Sequence, residues 1–305
     1  MNWFTDDFKQ AFNKSNNSLM QLIWINIVVY LTTLVLQLSL MALSQTWVLE
    51  HILSYFSLSA VLPNVLYKPW TLLTYSFFHA INPIAHLLPN MLMLYWFGGI
   101  IQEYIGSKRL IHLFIYGAIF GGIFVIGLEN LLPFFQHSLS SNIIGASGAV
   151  MAIVFGATTL VPEYTFYLFL IGPIKIKYIA VFLLILSLVS ALNMQNVGGE
   201  LVHVGGAMMG YFYVKFLKNG TDLGVPIEYI SMFFKNLFQK KPEKSIKVTY
   251  RNPNNTVSQA SNQYNNASFP DDDEIDEILD KISKSGYESL TKTEKQLLFK
   301  ASQKK

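Results

Sequence analysis

Three short strings in this 305-residue chain combine residue types that could do chemistry: Ser147 within Gly145-Ala146-Ser147-Gly148, His203 within His203-Val204-Gly205-Gly206, and the pair His86 and Asn90. A serine hydroxyl is a poor nucleophile and needs an adjacent base. His203 could take its proton and later return it as an acid. Asp7 is followed by no aspartate until Asp222, so a Ser-His-Asp triad or an aspartyl pair cannot form between them. Serine and histidine would therefore act as a dyad. Cysteine is absent throughout, which excludes thiol nucleophiles, disulfides and thiolate metal sites. His86 and Asn90, four apart, share one helical face. With the backbone N–H groups of Ser147 and Ala146 they would form an oxyanion hole, where one donor is worth about 3–4 kcal/mol. The string His-Glu-x-x-His is missing, so a metalloprotease of that kind is ruled out, and neither a metal nor a cofactor is expected.

Each string also has a plainer structural reading. A helical serine commonly bonds the carbonyl four residues back, and a lone membrane histidine is commonly a packing residue. What joins the strings is where they fall relative to the apolar stretches.

Only 13% of residues are charged, against about 25% in soluble domains. The charges are partitioned: 27 of 41 lie from Lys215 onward and 14 in the first 214 positions. A membrane helix needs about 20 mostly apolar residues. Six stretches qualify or nearly do: 19–43, 85–102, 110–131, 143–161, 177–192 and 201–217. The first is too long, and its flanks too acidic, for a cleaved signal peptide. Lys9, Lys14, Lys108, Arg109, Lys175, Lys177 and the lysine-rich tail all fall on one side of such a layout, with Lys68 alone on the other. Both termini are thus expected in the cytoplasm. The loop 42–84, with Trp47, Tyr55, Phe56, Tyr67, Trp70, Phe77 and Phe78, reads as a partly embedded interfacial element on the extracytoplasmic side. In this layout Ser147, His203, His86 and Asn90 all lie in one layer near the outer ends of their spans. Gly199, His203, Gly206 and Gly210 share a helical face, and small residues such as these and Gly145 and Gly148 allow close helix packing.

The expected fold is an all-α integral membrane protein, a six-helix bundle over 19–219 preceded by a short cytosolic N-terminus, 1–18. A juxtamembrane segment and linker follow at 220–270, the stretch 251–266 being rich in Asn, Ser and Gln. The tail 271–305 reads as two short helices. Ile275, Ile278, Leu279 and Ile282 fall at helical spacing, Gly286 is a stop, and Thr291 with Glu294 makes a capping box. This tail could bind a cytosolic partner. A net charge of +3 gives no reason to expect nucleic acid.

Over 19–217 the chain resembles the rhomboid family of intramembrane serine proteases. The resemblance rests on His86-x-x-x-Asn90, Gly145-x-Ser147-Gly148, His203-x-x-Gly206 and the order of the spans. It implies that Ser147 is the nucleophile, His203 the general base and acid, and His86 and Asn90 oxyanion donors. The substrates it implies are transmembrane segments of other proteins in the bilayer. A bacterial inner membrane fits the Lys-rich, Asn-rich composition. Four positions depart from the family pattern: Thr71 after Trp70, Gln102 between Gly98 and Gly106, Val202 before the histidine, and Met151 four after the serine. Two other classes stay open. One is a non-catalytic rhomboid-like protein that binds membrane clients. The other is a transporter, for which the carboxylates near span ends (Glu50, Glu103, Glu129, Glu163, Glu200) offer little to a midplane relay.

Overall fold

The computed structural model describes residues 17–80, 84–133, 135, 142–168, 172–192, 196–238 and 272–302. Lys9 and Lys14, His137 and the 251–266 linker lie outside the described residues. The chain divides into two compact units, 1–240 and 241–305.

Among the described residues of the first unit, six helices between Ser18 and Lys218 form a bundle. α1 (Ser18–Ala42) is apolar all round. One stripe, with Leu19, Leu22, Ile23, Asn26 and Tyr30, is buried, whereas Val28, Leu31, Val35 and Leu38 are exposed. A helix of that pattern suits burial on one side and lipid on the other. A loop follows, containing α2 (Thr46–Ser54), α3 (Leu62–Tyr67), α4 (Thr71–Thr74) and a 3-10 turn, Tyr75–Phe77. Then come α5 (Ile84–Ile105) and α6 (Ser107–Leu131), joined at Gly106, whose φ of 92° is left-handed. α7 (Ser147–Leu160), α8 (Ile176–Leu192) and α9 (Val197–Lys218) complete the bundle. α7 packs against α5, α6, α8 and α9, and its run from Gly148 to Val154 is buried throughout.

By length and apolarity, two of these helices, α1 and α6, are able to cross a membrane alone. The six stretches read from hydropathy thus correspond to six helices of unequal standing. α7 is the clearest correction. It has 14 residues and starts at Ser147, because residues 143–146 are used otherwise. Ile143 exchanges two backbone hydrogen bonds of 2.9 Å with Leu58, and Gly145 N–H donates to Tyr75 O at 3.0 Å.

A second correction concerns the all-α expectation. Between α7 and α8 lies an antiparallel hairpin, β1 (Thr165–Leu168) and β2 (Gly172–Lys175), in register Thr165 opposite Lys175 and Phe166 opposite Ile174. Thr, Phe and Tyr favour a pleated, half-buried surface. Glu163 pairs with both Lys175 and Lys177 across the base of the hairpin.

The loop between α1 and α5 is held by specific bonds. Trp70 Nε1–H donates to Tyr55 O (2.8 Å), Lys68 Nζ to Ser54 O (3.1 Å) while lying 4.2 Å over the Tyr55 ring, and Thr74 to Phe56 O (3.0 Å). Thr71, in the departing position, is buried and donates to Lys68 O at 2.6 Å. Trp47, Tyr67 and Trp70 remain exposed.

The segment after α9 is not simply a linker. It contains α10 (Val225–Phe238), and Asp222 ties its start to the bundle. Arg109 pairs with the Asp222 carboxylate at 3.0 Å, and Tyr116 donates to Leu223 O at 2.6 Å. Burial alone would raise the Asp222 carboxyl, but hydrogen bonds from Gly224 N–H and Arg109 outweigh it and hold the group below its ordinary value.

The second unit holds α11 (Asp272–Ser285), a 3-10 turn and α12 (Lys292–Ser302). Gly286 ends α11 with φ 78°. Thr291 and Glu294 form the reciprocal capping box: Glu294 N–H donates to Thr291 Oγ1 (3.3 Å) and Thr291 N–H to Glu294 Oε2 (2.6 Å). Ile278 and Leu290 are buried, whereas Leu279, expected on the apolar face, is 49% exposed.

Candidate active site

Ser147 is the first residue of α7, and Gly145 sets it there. The φ of Gly145 is 138°, accessible to glycine at little cost, and the chain turns through it into the helix. Its role is conformational, a correction to the packing role expected for it: a Cβ there would meet only Ser147 Oγ (3.5 Å) and Ser147 N (4.0 Å). Starting a helix at Ser147 leaves its first N–H groups without intrahelical partners, positive dipoles available to an oxyanion.

His203 lies on the second turn of α9, and the α7–α9 contact fixes its distance from Ser147. A Cβ at Gly206 would come within 2.1 Å of Gly148 O, and one at Gly210 within 2.0 Å of Ala152 O. The two backbones touch at these glycines. Val202, in place of a smaller residue, is 2% exposed and fills a notch between helices: its Cγ1 lies 2.4 Å from where a Cβ of Gly148 would be and 2.9 Å from that of Gly121. Gly199 does something different from the interhelical packing expected of it. The nearest atoms to its missing Cβ belong to Asn196, the N-cap of α9, whose side chain accepts from Gly199 N–H at 3.3 Å.

Ser147, His203 and Asn90 line one cavity of about 220 Å³, with Met151, Ser187 and Glu200 among its other walls. Of the sequence-derived set, His86 is not in that lining. It stands one turn earlier on α5 and is exposed, and its carbonyl accepts the Asn90 side-chain amide at 2.8 Å. Pro89, between them, falls in the second turn of α5. Ser147 and His203 face the same space without a hydrogen bond between them; catalytic pairs are often long before substrate binds.

Sequence reasoning missed the contacts on the other ring nitrogen. His203 Nδ1 lies 2.8 Å from Ser187 Oγ and 3.1 Å from Glu200 Oε2, and Ser187 Oγ is 2.5 Å from the same carboxylate oxygen. The i, i+3 spacing of Glu200 and His203 was the available signal. Among the other departing positions, Gln102 accepts from Leu19 N–H at 3.0 Å and joins α5 to the start of α1. His112 is buried with its Nδ1 3.3 Å from the Tyr213 hydroxyl.

The fold is thus a helical bundle in which a serine and a histidine line one cavity between packed helices. The family model for the rhomboid domain matches residues 67–219, half of the chain. The chain belongs to the rhomboid family and is an integral membrane protein. A second model, a family of unknown function (DUF6576), matches residues 260–304. The chain is 31% identical over 149 residues to the RHOMBOID-like protein 12, mitochondrial, of Arabidopsis thaliana, a match that spans 45% of this chain and 43% of that protein.

Proposed function

We propose that the protein is an intramembrane serine endopeptidase that cleaves transmembrane segments of other membrane proteins. The observation that carries this reading is the convergence of Ser147, His203 and Asn90 on one cavity from three different helices. In the proposed reaction, Ser147 Oγ attacks the scissile carbonyl carbon and its proton passes to His203. The tetrahedral oxyanion is held by the N–H groups at the start of α7, with Ala146 and Ser147 as backbone donors, and by the Asn90 amide. His86, outside the lining, joins only if the start of α5 shifts with substrate. His203 then protonates the leaving amine, and water releases the acyl group by the reverse steps.

The layout that goes with this reading has all six long helices spanning the bilayer and both termini in the cytoplasm. The cavity then opens toward the extracytoplasmic side of a bacterial inner membrane. The Lys and Arg distribution supports that orientation.

A second reading, a client-binding protein without catalysis, is favoured by the missing hydrogen bond between Ser147 and His203. The two separate in one experiment. In proteoliposomes, a reporter transmembrane substrate should be cut by the wild type and left intact by Ser147→Ala and His203→Ala. Equal binding of the substrate by all three with no cleavage by any would establish the second reading.

A further inference from the structure

We infer that Glu200 and Ser187 form a positioning network that holds His203 in the tautomer and orientation its proposed role requires. The inference deepens the protease reading and rests on it. It also changes the chemistry from a bare dyad to a histidine oriented by a carboxylate.

With Glu200 ionised, the hydrogen bonds allow one consistent assignment. Ser187 has a single hydroxyl proton, and its oxygen lies 2.5 Å from Glu200 Oε2 and 2.8 Å from His203 Nδ1. A carboxylate oxygen can only accept, so the hydroxyl donates to Glu200. Nδ1 must then carry a proton, donated toward Ser187 Oγ and shared with Glu200 Oε2 at 3.1 Å. With the proton on Nδ1, the neutral ring keeps its lone pair on Nε2. That is the nitrogen this network leaves free, and Ser147 lines the same cavity. If Nδ1 were the acceptor instead, Glu200 would have to be a neutral acid for a proton to lie between its Oε2 and Ser187 Oγ at 2.5 Å.

The partners come from two elements. Glu200 sits in the first turn of α9, three residues before His203, and Ser187 on α8. Ser187 is buried, and Glu200 and His203 are about four-fifths buried. His86 of α5 is the other titratable group acting on Glu200. In the reaction, the Ser147 proton passes to Nε2 and on to the leaving nitrogen. Glu200 takes no proton; it accepts the Nδ1–H bond throughout and favours the imidazolium while it exists. Because Ser187 belongs to α8, a movement of that helix would alter the orientation of the base.

A purely structural role is also available to Glu200, since a carboxylate in a first helical turn favours the helix dipole. The test must separate the two. The full-length protein in proteoliposomes is assayed with a reporter transmembrane substrate across pH 5.5–9 for wild type, Glu200→Gln, Glu200→Asp, Ser187→Ala and Ser147→Ala. Glu200→Gln should lower kcat by about 10- to 100-fold with KM within about twofold, less than the loss seen for a fully buried triad carboxylate. The acid limb of its kcat/KM profile should move to lower pH by about one unit, because removal of the negative charge makes the imidazolium easier to deprotonate. Glu200→Asp should recover part of kcat and keep the wild-type limb. Ser187→Ala, on a different helix, should lower kcat less and shift the limb in the same direction. An unchanged limb in both Glu200→Gln and Ser187→Ala, whatever happens to stability, overturns the network. Failure of the protease reading looks different: the wild type itself does not cleave, or Ser147→Ala cleaves equally well.

Discussion

The two sides of the cavity are built on opposite principles. On the α7–α9 side, backbone meets backbone. Gly206 lies under Gly148 O and Gly210 under Ala152 O, with no room for a methyl group. On the α5–α8 side, large side chains stand between the helices. Met93 and Leu183, which line the cavity, also face a separate open apolar space of about 480 Å³ with Trp96, Phe97, Ile179 and Phe182, and Phe182 is 63% exposed. The lesson is about where precision is required. For the proposed reaction, the separation of Ser147 and His203 would have to be held to a fraction of an ångström, and glycine contacts in a bilayer supply that by allowing close approach. In the proposed reaction the other side would admit the substrate, and flexible side chains suit that.

The sharpest way to break this contrast is Gly206→Ala. The added methyl must displace α9 from α7. Overpacking of this kind costs about 1–3 kcal/mol, and a shift near 1 Å costs about 100-fold in rate. Cleavage should therefore fall more than 100-fold, with a lower thermal midpoint in detergent. Gly127→Ala on α6, where a Cβ would meet nothing within 4 Å, is the control. It should leave cleavage unchanged and raise helix stability by up to about 1 kcal/mol. If both glycines tolerate alanine, the α7–α9 contact does not fix the site.

Next in size is the oxyanion side. Asn90→Ala should lower kcat by about 100- to 1000-fold. His86→Ala, which changes an exposed residue outside the cavity lining, should lower kcat by less than about tenfold. Matching losses from single-turnover kinetics would return His86 to the hole and require the start of α5 to move on substrate binding.

On the loose side, Phe182→Ala should change stability by no more than about 0.5 kcal/mol, as for other exposed positions. Its effect should fall on KM for the transmembrane substrate rather than on kcat. A large fall in kcat would show that α8 is as constrained as α9.

The smallest effect belongs to the hairpin leading into α8. Hydrogen bonds from Lys175 and Lys177 hold the Glu163 carboxyl down to about 2. A lowered carboxylate stabilises the folded form above its ordinary value of 4.5 and loses that contribution as pH falls toward 2. Hydrogen-exchange protection in 165–168 and 172–175, corrected for the intrinsic rate, should therefore fall between pH 4.5 and 2 in the wild type and be low already at pH 5 in Glu163→Gln. The group is fully exposed, so the change should stay local to the hairpin.

Much of this contrast was legible in the sequence, and for physical reasons. The spacing of His203, Gly206 and Gly210 is helical, so a shared face and a close neighbour follow from period alone. The capping box at Thr291 and Glu294 is likewise a local pattern with a local cause. Contacts between distant elements were less accessible. Nothing in the neighbourhood of Ser187 marks it as a partner of His203, because α8 is apolar all round and its facing is set by packing. Glu200 was visible but read as a residue at a span end. Its helix begins at Val197 and places the carboxylate one turn from the histidine. The hairpin was hidden because charge pattern identified the turn while saying nothing of its conformation. Gly145 and Gly199 look like packing glycines in a string, yet one serves a left-handed turn and the other makes room for a cap.

The central claim is that Ser147 is a nucleophile activated by His203. It is tested most directly by incubating membranes with a fluorophosphonate and mapping the modified residue by mass spectrometry. The account predicts a single adduct on Ser147, lost in His203→Ala and retained, though formed more slowly, in Glu200→Gln. An unmodified Ser147 in the wild type, or an adduct that forms equally fast without His203, would contradict it.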